Sequence, residues 1–118
     1  MTAVSQNATI YEGEYKQLPF GPVTDVDGNV VSLVGATATW VLCEGDGPTS
    51  TPILTKTKTA GGIVFDAGTG GTGYIIIATG DTTAYGGASY YHEMEIVKNS
   101  QPEIAFTGTI KILKSAIL

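Results

Sequence analysis

The run Ser89-Tyr90-Tyr91-His92-Glu93-Met94-Glu95-Ile96-Val97 decides the fold. Its character alternates with a period of two. Tyr90, His92, Met94 and Ile96 share one face, and Tyr91, Glu93, Glu95 and Val97 share the other. That period belongs to an extended strand with one face buried, not to a helix. A second run repeats it: Ile104, Phe106, Ile110 and Ile112 alternate with Ala105, Thr107, Thr109 and Lys111. The link at residues 99–102 is short, so the two strands are predicted to pair antiparallel.

Working outward, turn signals punctuate the chain at regular intervals. They fall at Gly21 and Pro22, Asp27 and Gly28, Gly45 to Pro48, Gly61 and Gly62, Gly68 to Gly73, and Gly86 and Gly87. The segments between are rich in Val, Ile, Thr and Tyr, which suit a pleated, half-buried surface. Short strands at this spacing predict an all-β, antiparallel sandwich of about 7–9 strands. Strands are expected over residues 10–18, 38–44, 53–59, 63–65 and 74–78, with a hairpin over 23–33 bent at Asp27 and Gly28. One helical turn is expected at residues 79–85, capped by Asp81 or Thr79. On the 53–59 strand, Lys56 and Lys58 are read as a solvated face whose charge blunts an exposed edge. The inward positions give a predicted core of Trp40, Leu42, Tyr90, Met94, Ile96, Phe106 and Ile110, with Tyr74 also turned inward.

The 118 residues suit one domain, set here at 9–114, with an N-terminal arm at 1–8 and a C-terminal tip at 115–118. Only 14% of residues are charged, against about 25% in ordinary globular chains, while Thr and Gly are the two commonest residues. All six basic residues are Lys and the net charge is −5. A nucleic-acid partner needs a basic stripe, so none is expected. Apolar runs fall far short of the roughly 20 residues that span a bilayer, so no membrane partner is expected either. One cysteine, Cys43, cannot form an intrachain disulfide. The polar start of the chain lacks a secretory leader pattern, and synthesis in a cytoplasm is expected.

Few residues suggest chemistry. His92 is the single histidine, and its mid-strand place beside Met94 predicts a partly buried ring with a hydrogen-bond partner. Cys43, between apolar strand neighbours, is read as a buried thiol. Asp25, Asp27 and Asn29 resemble the start of a calcium loop, but Gly28 stands too early and position 12 is Ala36, so a turn is expected. The glycine-rich stretch at 68–73 has no Lys, which a phosphate cradle requires. Glu93 and Glu95 are read as a solvated strand face. These readings predict no enzyme, no catalytic residue, no metal and no cofactor.

One ordered set of residues is nonetheless familiar. It runs Asp27-Gly28-Asn29, Leu33, Gly35-Ala36-Thr37, Trp40, Leu54-Thr55-Lys56, Gly62-Ile63, Asp81-Thr82, Tyr85, then residues 89–97 and Gly108-Thr109-Ile110. It resembles the small immunoglobulin-like β-sandwich proteins of tailed bacteriophages and prophages, and is similar to the N-terminal domain of phage upper-baseplate proteins. The resemblance covers roughly residues 10–113. It implies a virion structural component, made in the host bacterial cytoplasm, whose partners are other virion proteins and copies of itself. The order of Asp81, Tyr85 and Tyr90 is similar to the corner of immunoglobulin-like domains at which a Tyr hydroxyl caps the backbone. The missing disulfide separates this chain from antibody-type domains.

A structural role on the head, neck or tail exterior is therefore the first expectation. The apolar tip Ala116-Ile117-Leu118 is predicted to make intersubunit contacts, because a lone copy would leave it exposed. The alternative is a carbohydrate-binding or adhesin module using surface tyrosines among Tyr11, Tyr15, Tyr74, Tyr85, Tyr90 and Tyr91.

Overall fold

A computed structural model describes residues 2–45, 47, 51–66 and 69–117. Met1, Asp46, residues 48–50, Ala67, Gly68 and Leu118 lie outside the described residues, so parts of two expected turns and the last residue of the tip do too. The fold is all-β, a sandwich of two sheets about 43 Å long.

The decisive runs form its two longest strands, β8 (Ala88–Lys98) and β9 (Gln101–Leu113), paired antiparallel. Asn99 and Ser100 join them with φ of 54° and 60°, the left-handed backbone that a tight two-residue hairpin uses to match strand twist. Strand β4 (Thr37–Cys43) pairs with the other edge of β8, and β5 (Pro52–Thr57) closes that side. The facing sheet has the order β3 (Lys16–Phe20), β7 (Gly73–Ile77), β6 (Ile63–Phe65). This connectivity is the strand order of an immunoglobulin-type sandwich, with β4, β8 and β9 in one sheet and β3, β7 and β6 in the other. The expected core residues Trp40, Leu42, Tyr90, Met94, Ile96, Phe106 and Ile110 lie between the sheets, each 8% exposed or less. Full burial of each large apolar side chain contributes roughly 1.5–3 kcal/mol.

Several local expectations need correction. The segment at 1–8 is not a free arm from Val4 onward. Strands β1 (Val4–Ser5) and β2 (Ala8–Tyr11) run parallel to β9 along its outer edge, so the sheet is not purely antiparallel. The expected strand at 10–18 is two strands in different sheets, because the chain crosses over at residues 12–15. The hairpin at 23–33 is reduced to one bridge, Thr24 to Val30, around a turn. Ile104 does not share the inner face with Phe106. A bulge opposite Met94 and Glu95 inserts Ala105 into the core, 4% exposed, and turns half-buried Ile104 to the outer face beside Glu95.

On β5, Lys56 also departs from expectation, whereas Lys58, just past the strand, is exposed as expected. Trp40 pairs with Lys56, so Lys56 starts from the inner face. Its stem packs on Gly62, where a Cβ would approach within 3.0 Å, and its ammonium reaches Asp81 at 2.7 Å. Lys58 lies over the Phe65 ring, 5.2 Å from its centre. Asp81 ends a 3-10 turn (Thr79–Asp81) and accepts the Ala78 N–H at 2.7 Å, so one carboxylate caps the turn and ties the two sheets together. The turn is shorter than the stretch expected at 79–85.

Candidate functional site

Register brings the chain's most distinctive polar group into the core. His92 pairs with Leu42 on one side and Gly108 on the other, and is 1% exposed, more deeply buried than its sequence implied. The Trp40 indole N–H donates to His92 Nδ1 at 3.0 Å. His92 Nε2 lies 2.6 Å from the Gln6 carbonyl. An indole nitrogen can only donate, so Nδ1 must be the acceptor and Nε2 carries the proton. Burial lowers the His92 pKa, partly opposed by the Gln6 carbonyl, and so holds this neutral form.

Gly108 makes the arrangement possible. A Cβ there would collide with the Gln6 carbonyl and crowd Asn7 Oδ1. The absent side chain lets Gln6 reach over β9 to the ring. Asn7 Oδ1 meanwhile accepts the Thr109 N–H at 2.9 Å, replacing a ladder bond. Strands β1 and β2 keep one register on β9, so they are a single parallel strand interrupted where its backbone turns to His92. The sequence carried little sign of this link, since Gln6 lies 86 residues from His92.

Above the ring a cleft of about 600 Å³ opens between the N-terminal segment and β3. Leu18, Phe20 and Ile75 form much of its apolar lining, and Asn7, Asp66 and Thr72 contribute polar groups. The Gln6 side chain donates to the Pro19 carbonyl at 2.6 Å, and Thr72 donates to Asp66 at 2.9 Å. Both His92 nitrogens are engaged within the fold, so the ring offers no free base to a molecule in the cleft.

Cys43 pairs with Tyr91 and therefore lies on the outer face, opposite His92. The two cannot form a catalytic dyad. Burial, and then the charge of Glu93, raise the Cys43 pKa, which keeps its thiol protonated and weakly nucleophilic. Tyr91 donates to Glu93 at 3.0 Å, and burial with this bond and charge pushes its pKa up to about 12. Thr39, Val41, Glu93 and Glu95 surround a shallow hollow of about 200 Å³, with both carboxylates half-buried rather than fully solvated.

Asp25 is engaged in its own turn. Its Oδ1 accepts the N–H groups of Asp27 at 2.9 Å and Asn29 at 3.0 Å, as the turn reading requires. Among the described residues, no group of three or more His, Cys, Asp or Glu is placed to hold a metal ion. Nor is any described helix long and apolar enough to cross a membrane. Tyr90 donates to the Tyr85 carbonyl at 2.8 Å, the backbone cap expected of that corner.

The C-terminal tip is anchored and then exposed. The Ser115 N–H donates to Glu12 at 3.1 Å, while Ile117 is 98% exposed. Ala116, Ile117 and the half-exposed Tyr11 border a hollow of about 500 Å³ with Glu12, Glu14 and Ser115. Of the six tyrosines, Tyr11 and Tyr15 are exposed; Tyr90 is buried, and Tyr74, Tyr85 and Tyr91 are half-buried. No protein-family model matches the chain, and no curated protein is significantly similar to it.

Proposed function

We propose that this chain is a non-enzymatic structural protein of a tailed-phage virion, assembling in multiple copies on the exterior of the head, neck or tail. The observation that carries the reading is the C-terminal tip. Ser115 is fixed against Glu12, and this holds Ala116 and Ile117 out beside Tyr11 as an apolar contact patch. Support also comes from the sequence resemblance and from the engagement of His92 within the core. The low charge of the chain suits a surface covered by neighbouring subunits. Deletion of Ser115 and the three residues after it is expected to abolish incorporation into particles while the soluble chain still folds. Undiminished incorporation would overturn the role of the tip, and absence of the chain from purified particles would overturn the virion reading.

A carbohydrate-binding or adhesin role draws on one observation: the exposed Tyr11 and Tyr15 flank the acidic Glu12 and Glu14. Binding on a glycan array that Tyr11→Ala and Tyr15→Ala each remove would favour it. An array without hits would favour the structural role.

A further inference from the structure

We infer that the outer edge of β5 is a self-association surface, on which the β5 strand of a second copy of this chain adds antiparallel about a two-fold axis at Thr55. The inference rests on the multi-copy reading and deepens it by naming a surface and a partner.

The hydrogen-bond phase comes first. The Lys58 N–H donates to the Ala38 carbonyl at 3.0 Å, one step beyond the Thr39 to Thr57 pair. Antiparallel pairs alternate between exchanging bonds and turning them away. Lys56 therefore bonds inward to Trp40, and Thr55 and Thr57 point their main-chain groups outward. Gly62 takes the Thr57 carbonyl at 2.9 Å. Among the described residues, the Thr55 N–H and C=O and the Thr57 N–H remain on the open edge.

Other edges are defended differently. On β3, the Ile76 N–H donates to the Gly62 carbonyl, which sets the phase so that Gln17 and Pro19 face outward. Pro19 has no N–H, and Gln6 occupies its carbonyl. The β1 and β2 edge is broken at Gln6 and Asn7, and β6 has only three residues. The edge of β5 carries Lys56, with Lys58 just past its end, but Lys56 is drawn to Asp81 and Lys58 to Phe65. Their charges are withdrawn from the place where they would repel an added strand.

Phase and charge then select the partner and register. An added strand must turn its own bonding groups toward Thr55, and a second β5 does so with identical spacing. An axis at Lys56 would also be in phase, but it sets two lysines opposite one another and requires the Thr57 carbonyl that Gly62 holds. An axis at Thr55 sets Thr55 against its symmetry mate, a favourable cross-strand pair, and Lys56 against Leu54 of the other copy. The resulting contact is two-fold symmetric and joins two sheets into one. A bulge near Cys43 limits the added ladder, so the contact is small and gains most where other contacts hold copies together.

The test measures association of the full chain by sedimentation and by disulfide trapping. Thr55→Pro removes an outward N–H that makes no bond among the described residues, and Thr55→Lys opposes two charges across the axis. Each is expected to weaken association about tenfold or more, with little change in melting temperature. Thr55→Cys is expected to form a dimer disulfide on mild oxidation, whereas Thr9→Cys on the opposite edge forms none. Should Thr55→Pro fail to fold, Thr55→Lys and the trapping experiment still decide. Association unchanged in Thr55→Lys, or equal trapping at residue 9, overturns the edge pairing and leaves assembly through another surface standing. A wild-type chain that stays monomeric while Thr55→Cys fails to trap also overturns it, and confines the multi-copy reading to contacts with other virion proteins.

Discussion

Strands β4 and β8 carry a polar pair within reach of each face of their sheet. On the inner face the Trp40 indole donates to His92 at 3.0 Å, and on the outer face Tyr91 donates to Glu93 at the same distance. The inner pair is sealed from water; the outer pair is half open to it. Bond length is therefore a poor guide to what each pair contributes. A buried polar group that loses its partner bears its full desolvation cost, whereas an exposed one turns to water.

The difference is largest at His92. His92→Ala orphans the Trp40 N–H and the Gln6 carbonyl and leaves a cavity. Urea denaturation should show a loss of about 3–5 kcal/mol. Gly108→Ala keeps the pair but drives a methyl into Gln6, so a loss of about 1–3 kcal/mol is expected. Hydrogen exchange should then rise first in β1 and β2, and uniform exchange across both sheets would refute the coupling.

Acid sharpens the contrast. A protonated His92 would aim a second N–H at the Trp40 donor, and burial already lowers its pKa below the usual 6.5. The unfolded chain therefore takes up the proton first. The contribution of His92 is full above about pH 6.5 and is lost as the pH falls toward the lowered folded value. Denaturation midpoints between about pH 5 and 7 should slope downward into acid, and His92→Gln should flatten that slope.

The outer pair gives the smallest effect on stability. Tyr91→Phe should cost about 0.5–1.5 kcal/mol. Its folded pKa is raised, so its own contribution is full below about pH 10 and is lost as the pH rises toward about 12. An alkaline absorbance titration should lose a phase near that value in the variant.

What the sequence disclosed follows the same division. Alternation in β8, β9 and β4 was legible because one face of each is packed in the core, and Trp40, Met94 and Ile96 are fully enclosed. The N-terminal strand was hidden because it is held by main-chain bonds to β9 and buries one side chain fully, Ile10. No periodicity records such a strand. The bulge at Ala105 was equally hidden, since a simple alternation fits the residues on either side. Lys56 looked like a guard because its partner, Asp81, sits in a distant turn. The partners of His92 lie on two other strands or their links, so its burial could be expected but the hydrogen-bond chain could not.

The parallel docking of the N-terminal segment on β9 also governs the order in which the molecule can be completed. Asn7 meets Thr109 across 102 residues. On a ribosome, β1 and β2 emerge before β9 and must wait, unpaired, until it has left the exit tunnel. The sheet edge is thus completed only once β9 is available, and contacts this distant in sequence slow folding. A chain cut short before β9 would leave both the early strand and its slot open, so this long-range contact doubles as a check that synthesis has passed β9.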